Sequence, residues 1–116
     1  MKLPLNFEDL VAQATQLRLY KKLIVQLNKD LLLANLDLEF DEETNPLSLK
    51  LVLKDAVFDL LQNKFLDYLN LLYQVDVSEK TVQSLDVSDL ALHSEKITFL
   101  ILQREWQKVW FKSKYS

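Results

Sequence analysis

Apolar residues return along this chain at the three- and four-residue spacings of α-helices. Leu10, Leu17, Ile24 and Leu31 recur every seven residues, with Tyr20, Leu27 and Ala34 as a second row. That seam predicts one helix over about 7–35, opened by Asn6 as N-cap with Glu8 and Asp9 in its first turn, where the helix dipole favours negative charge. Leu36 to Phe40 alternates apolar and acidic residues, and Asp41 to Asn45 reads as an exposed loop. Asn45 as cap with Pro46 at the first helical position then starts a second helix, over about 46–74.

In this second helix Leu51, Phe58, Phe65 and Leu72 repeat at seven, joined by Leu47, Leu61, Tyr68 and Val75, while Leu53, Val57 and Leu60 lie on another side. Two apolar sides predict a central helix with neighbours on both. A competing reading pairs 36–40 with 47–53 as a hairpin, because both runs also show period two. The seven-residue repeat continuing through Leu51, and a connection without glycine, favour the helix.

Asp76-Val77-Ser78-Glu79 and Asp86-Val87-Ser88-Asp89 are near copies. Each offers a capping side chain followed by an acid, which predicts a short helix at about 78–85 and a last long one at about 88–112. There Leu92, Phe99 and Trp106 form one row and Leu102 and Val109 the next, while Ile97, Leu100 and Ile101 fall largely on the opposite side. That middle section needs cover all round, from the rest of the fold or from a partner. The pattern predicts an all-α fold: an antiparallel bundle of three long helices plus one short helix, in a single domain over 1–116.

Composition sharpens what such a body excludes. The 116 residues include 27 leucines and neither glycine nor cysteine. Without glycine, phosphate-cradling loops and strained catalytic turns are disfavoured. Without cysteine there are no thiolate nucleophiles, disulfides or cysteine zinc sites, which fits a reducing cytosol. The formal charge of −3 gives no broad positive field for nucleic acid or anionic lipid. Glu8 and Asp9 interrupt the start before a signal-peptide core forms, and Lys21, Asp30, Asp55, Lys64 and Asp67 break the apolar stretches that follow. A cytoplasmic location and no transmembrane segment are expected.

Candidate chemistry is sparse. His93 is the sole histidine, with Asp89 four residues before it on the same helix. One histidine cannot build a helical di-metal site or a zinc hydrolase, and Ser88 and Ser94 lack a recognisable nucleophile elbow. His93 is expected to be structural, partly exposed or satisfied. Asp37, Glu39, Asp41, Glu42 and Glu43 cluster like a calcium loop, yet Glu42 stands where glycine is needed and Ser48 where a bidentate glutamate is needed. A solvated acidic loop is the reading. Neither metal nor other cofactor is expected, and no small-molecule substrate or enzymatic activity is inferred.

The tail is the most suggestive stretch. Trp106, Val109 and Trp110 share one helical face, and Arg104, Lys108 and Lys112 the opposite one. Tryptophans closing the bundle end, with cations complementing the helix C-terminus, is the simpler account. The functional account is a contact surface of Ile97, Leu100, Ile101, Arg104, Lys108, Trp110, Phe111 and Lys112. The expectation is a non-catalytic protein-interaction or structural domain that binds a protein partner or itself, as a homo-oligomer or within a larger assembly. The alternative is docking of the basic aromatic helix to nucleic acid or an anionic membrane surface.

The stretches Asn70-Leu71-Leu72-Tyr73-Gln74-Val75-Asp76-Val77-Ser78-Glu79 and Arg104-Glu105-Trp106-Gln107-Lys108-Val109-Trp110 resemble small all-helical bacterial proteins of unknown function. The resemblance covers the C-terminal two thirds of the chain. It implies a helical fold and assigns no activity to any residue.

Overall fold

Short polar side chains open the helices where the sequence places them. In the computed structural model, which describes residues 2–86 and 88–115, Asn6 accepts from the Asp9 amide at 2.8 Å and Asn45 from that of Ser48 at 2.8 Å. Ser78 caps at Thr81, and Asp89 Oδ1 accepts from the Leu92 amide at 3.1 Å. Val87, inside the second near-copy, lies outside the described residues. The helices are α1 (Phe7–Gln16), α2 (Tyr20–Leu33), α3 (Pro46–Asn63), α4 (Phe65–Val75), α5 (Glu79–Gln83) and α6 (Leu90–Tyr115). The fold is all-α, without a strand among the described residues.

Two of the long helical spans are each broken by a corner. The first breaks at Arg18, which takes a left-handed φ of 57° while the Leu19 amide reaches back to the Ala14 carbonyl at 2.8 Å. Asn35 and Asp76 close α2 and α4 the same way, with φ of 61° and 70°. Glycine is the usual residue at this position of a helix C-terminus. A chain without glycine places a side chain there instead, at roughly 1–2 kcal/mol each, less for Asn and Asp. The second span breaks at Lys64, whose φ of −145° and ψ of 62° interrupt the helix for one residue.

These corners change which rows face inward. Beyond Arg18 the buried row of α2 is Leu23, Ile24, Leu27 and Leu31, whereas Leu17 is left exposed at the corner. In α3 the buried row is Leu49, Leu53, Val57 and Leu60. Leu51 and Phe65, taken from the sequence as part of the main apolar row, face solvent instead: α3 turns its other side, that of Leu53, Val57 and Leu60, to the core, and the break at Lys64 starts α4 at a new helical phase. The 36–40 hairpin does not form. Phe40 is tied to α2 by Asn28, whose side-chain amide both donates to the Phe40 carbonyl and accepts from its N–H, each at 2.8 Å.

The central element is α6 and not the 46–74 span, for α6 packs against α1, α2, α3 and α4. It runs antiparallel to α2, with Lys108 reaching Asp30 and Lys112 reaching Gln26. Ile97, Ile101, Leu102 and Trp106 are completely buried along it. Each such aliphatic side chain contributes about 1.5–3 kcal/mol of transfer free energy. The cover that the middle of the last helix requires therefore comes largely from the fold itself.

Candidate functional site

The residues expected to form a contact surface are divided by the structure. Ile97 and Ile101 are core residues and leave nothing for a partner to touch, while Leu100 is half-buried. Trp106 closes the bundle end, its indole N–H donating to Gln13 Oε1 at 3.1 Å. Trp110 is half-buried, in edge contact with the exposed Phe111 and with Lys114 Nζ 5.7 Å above its ring. The three cations of the opposite face are committed within the chain. Arg104 bridges to Asp76 at 3.1 Å, Lys108 Nζ lies 2.6 Å from Asp30 Oδ2, and Lys112 Nζ donates to Gln26 Oε1 at 2.6 Å. They do not form an outward basic stripe, because α2 packs against the face on which Lys108 and Lys112 stand.

That packing creates a buried polar seam. Glu105 is completely buried and Asp30 nearly so; Lys108 Nζ lies 2.6 Å from Asp30 Oδ2 and 3.5 Å from Glu105 Oε1, but neither Glu105 oxygen has a hydrogen-bond partner. Lys108 also donates to the Gln74 carbonyl, which joins α4 to the seam. The Gln26 amide donates weakly to both Asp30 oxygens, at 3.4 Å. Burial pushes the Glu105 carboxyl up to about 10, and the adjacent Asp30 charge adds to the push against the opposing pull of Lys108. Asp30 goes the other way. Burial raises it, but its contacts with Glu105 and Lys108 outweigh that and hold it below the ordinary carboxylate range. At neutral pH the seam is thus a protonated Glu105, an ionised Asp30 and one ammonium.

Sequence reasoning missed this pair, although a signal was present. Glu105 falls between Leu102 and Val109 on the buried row of α6, a core register in which charge is rare unless paired. What it can do chemically is limited by enclosure: two carboxyls without a cavity around them hold a proton but reach no substrate.

His93 is buried, which corrects the expectation of partial exposure or satisfaction, and its Nδ1 has no hydrogen-bond partner. Asp89 does not orient it, being spent on the cap of α6. Across from it, Tyr68 of α4 is also buried with an unpartnered hydroxyl, and burial pushes its pKa up to about 12. Each unsatisfied buried polar atom costs about 1–3 kcal/mol. Both residues line one groove of about 610 Å³ between α4, α5 and the start of α6, otherwise walled chiefly by Leu61, Phe65, Leu69, Leu72, Val82, Leu85 and Leu90. Its wall at α5 is thin, since that helix buries no residue completely.

Beside the groove, α4 carries an exposed apolar stripe. Phe65, Leu66, Leu69 and Tyr73 are 54, 81, 45 and 79% exposed, at helical spacings that set them along one side. Among the described residues no helix is long and apolar enough to cross a membrane, and no group of three or more His, Asp or Glu could hold a metal ion. No protein-family model matches the chain, and neither a curated protein nor a solved structure is detectably similar to it.

Proposed function

We propose that this chain is a non-catalytic, cytoplasmic protein-interaction domain that self-associates through α4. The observation that carries the proposal is the stripe of Phe65, Leu66, Leu69 and Tyr73, four large apolar side chains left open on an eleven-residue helix. A contiguous apolar face of this kind marks a contact surface more often than scattered exposed leucines do.

A second copy suits the stripe because its pattern is nearly symmetric about Leu69, with Leu66 three residues before it and Tyr73 four after. An antiparallel copy sets Leu66 against Tyr73 of the other chain and opposes the two helix dipoles. It also brings the exposed Lys64 at one end of α4 toward Asp76 at the other, giving charge complementarity across a two-fold axis. The alternative of nucleic acid or an anionic membrane loses support, since Arg104, Lys108 and Lys112 are held by groups of the chain itself.

Sedimentation at micromolar concentration tests the proposal. The expected result is a dimer that Leu66→Glu together with Tyr73→Glu returns to a 13.7 kDa monomer of unchanged helicity. A wild-type chain that sediments as a monomer throughout overturns it.

A further inference from the structure

The stripe on α4 is too small to hold two copies together by itself. At roughly 200 Å² for a large apolar side chain, the exposed parts of Phe65, Leu66, Leu69 and Tyr73 amount to roughly 500 Å², against about 800 Å² per partner in a stable interface. A dimer built on α4 therefore draws on neighbouring surface, and the two flanks of the stripe differ. On one flank stand the polar residues Asp67, Asn70 and Gln74, of which Asn70 is already bonded to the Ala34 carbonyl at 3.3 Å. On the other flank lies the groove between α4, α5 and α6, whose walls include Phe65 and Leu69 of the stripe itself. Apolar surface continues on that side through Leu61, Leu72, Val82, Leu85 and Leu90, and among the described residues neither lysine nor arginine lines it.

Antiparallel pairing selects the side chain that enters. Phe65 and Tyr73 stand four residues on either side of Leu69, so with Leu69 near the two-fold axis the Tyr73 of one copy meets the Phe65 end of the other copy's α4. Phe65 is a wall of the groove, and Tyr73, 79% exposed, is free to project into it. A phenol is an apolar ring with a polar tip. The groove matches that shape: about 610 Å³ between apolar walls, with the exposed Glu79 and Gln83 of α5 placed to accept from the hydroxyl. An aromatic anchor in an apolar pocket is also the arrangement that carries most of the energy of protein interfaces. We infer that the groove is the receptor for Tyr73 of a second copy, each chain seating its tyrosine in the other's groove, an inference that rests on self-association through α4. Two reciprocal insertions then supply the area that the stripe lacks.

The test uses the full chain with the photoreactive p-benzoylphenylalanine in place of Tyr73, mixed with ¹⁵N-labelled wild type so that cross-links between copies are told apart by mass. The expected result is cross-links to Val82, Gln83, Leu85 or Leu90 of the labelled chain. A second measurement leaves α4 untouched. Leu90→Gln alters the groove at the first residue of α6, where the side chain is 38% exposed, and weakens dimerisation in sedimentation by about tenfold at unchanged helicity. If the wild type is a dimer but the cross-links fall on α4 alone, or Leu90→Gln dimerises as tightly as wild type, the groove is not the receptor and self-association through α4 stands without it. A wild type that is monomeric at all concentrations overturns both together.

Discussion

Two places in this protein bury polar groups, and they treat them differently. Along the α2–α6 seam, Asp30, Glu105 and Lys108 lie within ion-pair reach, with Gln26 and Lys112 extending the network. Between α4, α5 and α6, the Tyr68 hydroxyl and His93 Nδ1 are buried among leucines and left unpaired. The seam lies between two long helices that approach closely along their lengths, so a lysine on one can span to a carboxylate on the other. The groove is bounded by a five-residue helix that supplies only apolar and solvent-facing side chains. Close packing gives Asp30 a cation and an amide, although the Glu105 oxygens beside it stay without a hydrogen-bond partner, whereas the short α5 wall brings no polar group to Tyr68 or His93 at all.

The largest effect that would break this comparison is in the pH dependence of the seam. The folded pKa of Glu105 lies above its ordinary 4.5, so its contribution is fully present below about 4.5 and is lost as pH rises toward about 10. Asp30 is lowered, so its contribution is present above its ordinary 3.8 and is lost as pH falls through its folded value. From this pair alone, stability peaks in mild acid. Urea unfolding at a series of pH values should show a decline on the order of a few kcal/mol between about pH 5 and about pH 9, and Glu105→Gln should flatten it. A wild-type profile as flat as that of the variant would mean that Glu105 is ionised in the fold.

Next in size is removal of the shared cation. Lys108→Met leaves Asp30 buried against Glu105 without its ammonium, which should cost about 2–3 kcal/mol, somewhat under the range for fully enclosed pairs because Lys108 retains some exposure. Adding Asp30→Asn should recover part of that loss, and the double-mutant cycle measures the coupling. Additive losses would show that the two side chains do not act as a pair.

The smallest effect sharpens the contrast. Tyr68→Phe removes a hydroxyl that has no partner, so the stability of the chain should stay level or rise by up to about 1 kcal/mol. A loss larger than that in thermal or urea unfolding would place a hydrogen bond on this hydroxyl and erase the difference between groove and seam.

How far these regions can be read without coordinates differs from residue to residue. Asn6, Asn45 with Pro46, Ser78 and Asp89 announce helix starts because a cap depends only on the next three residues. The breaks at Arg18 and Lys64 carry no such mark: neither residue is a glycine or proline, and the apolar repeat runs through both positions. Their conformations follow from the packing of the helices on either side, which local propensity does not contain. The same applies to Ile97 and Ile101, which any partner or any helix of the fold could have covered.

By itself, the amino-acid sequence determined the all-α class, the capped starts and the exclusion of glycine- and cysteine-dependent chemistry, all of which follow from spacing and residue type. Tertiary structure alone decided that α6 is the central helix, that Lys108 turns inward to Asp30 and Glu105, and that Tyr68 and His93 are brought to one groove. These pairings join residues far apart in the chain, and each depends on the corners at Arg18 and Lys64 that set the helical phase. Periodicity says that a face is apolar; only the angle at which helices meet decides what that face encloses.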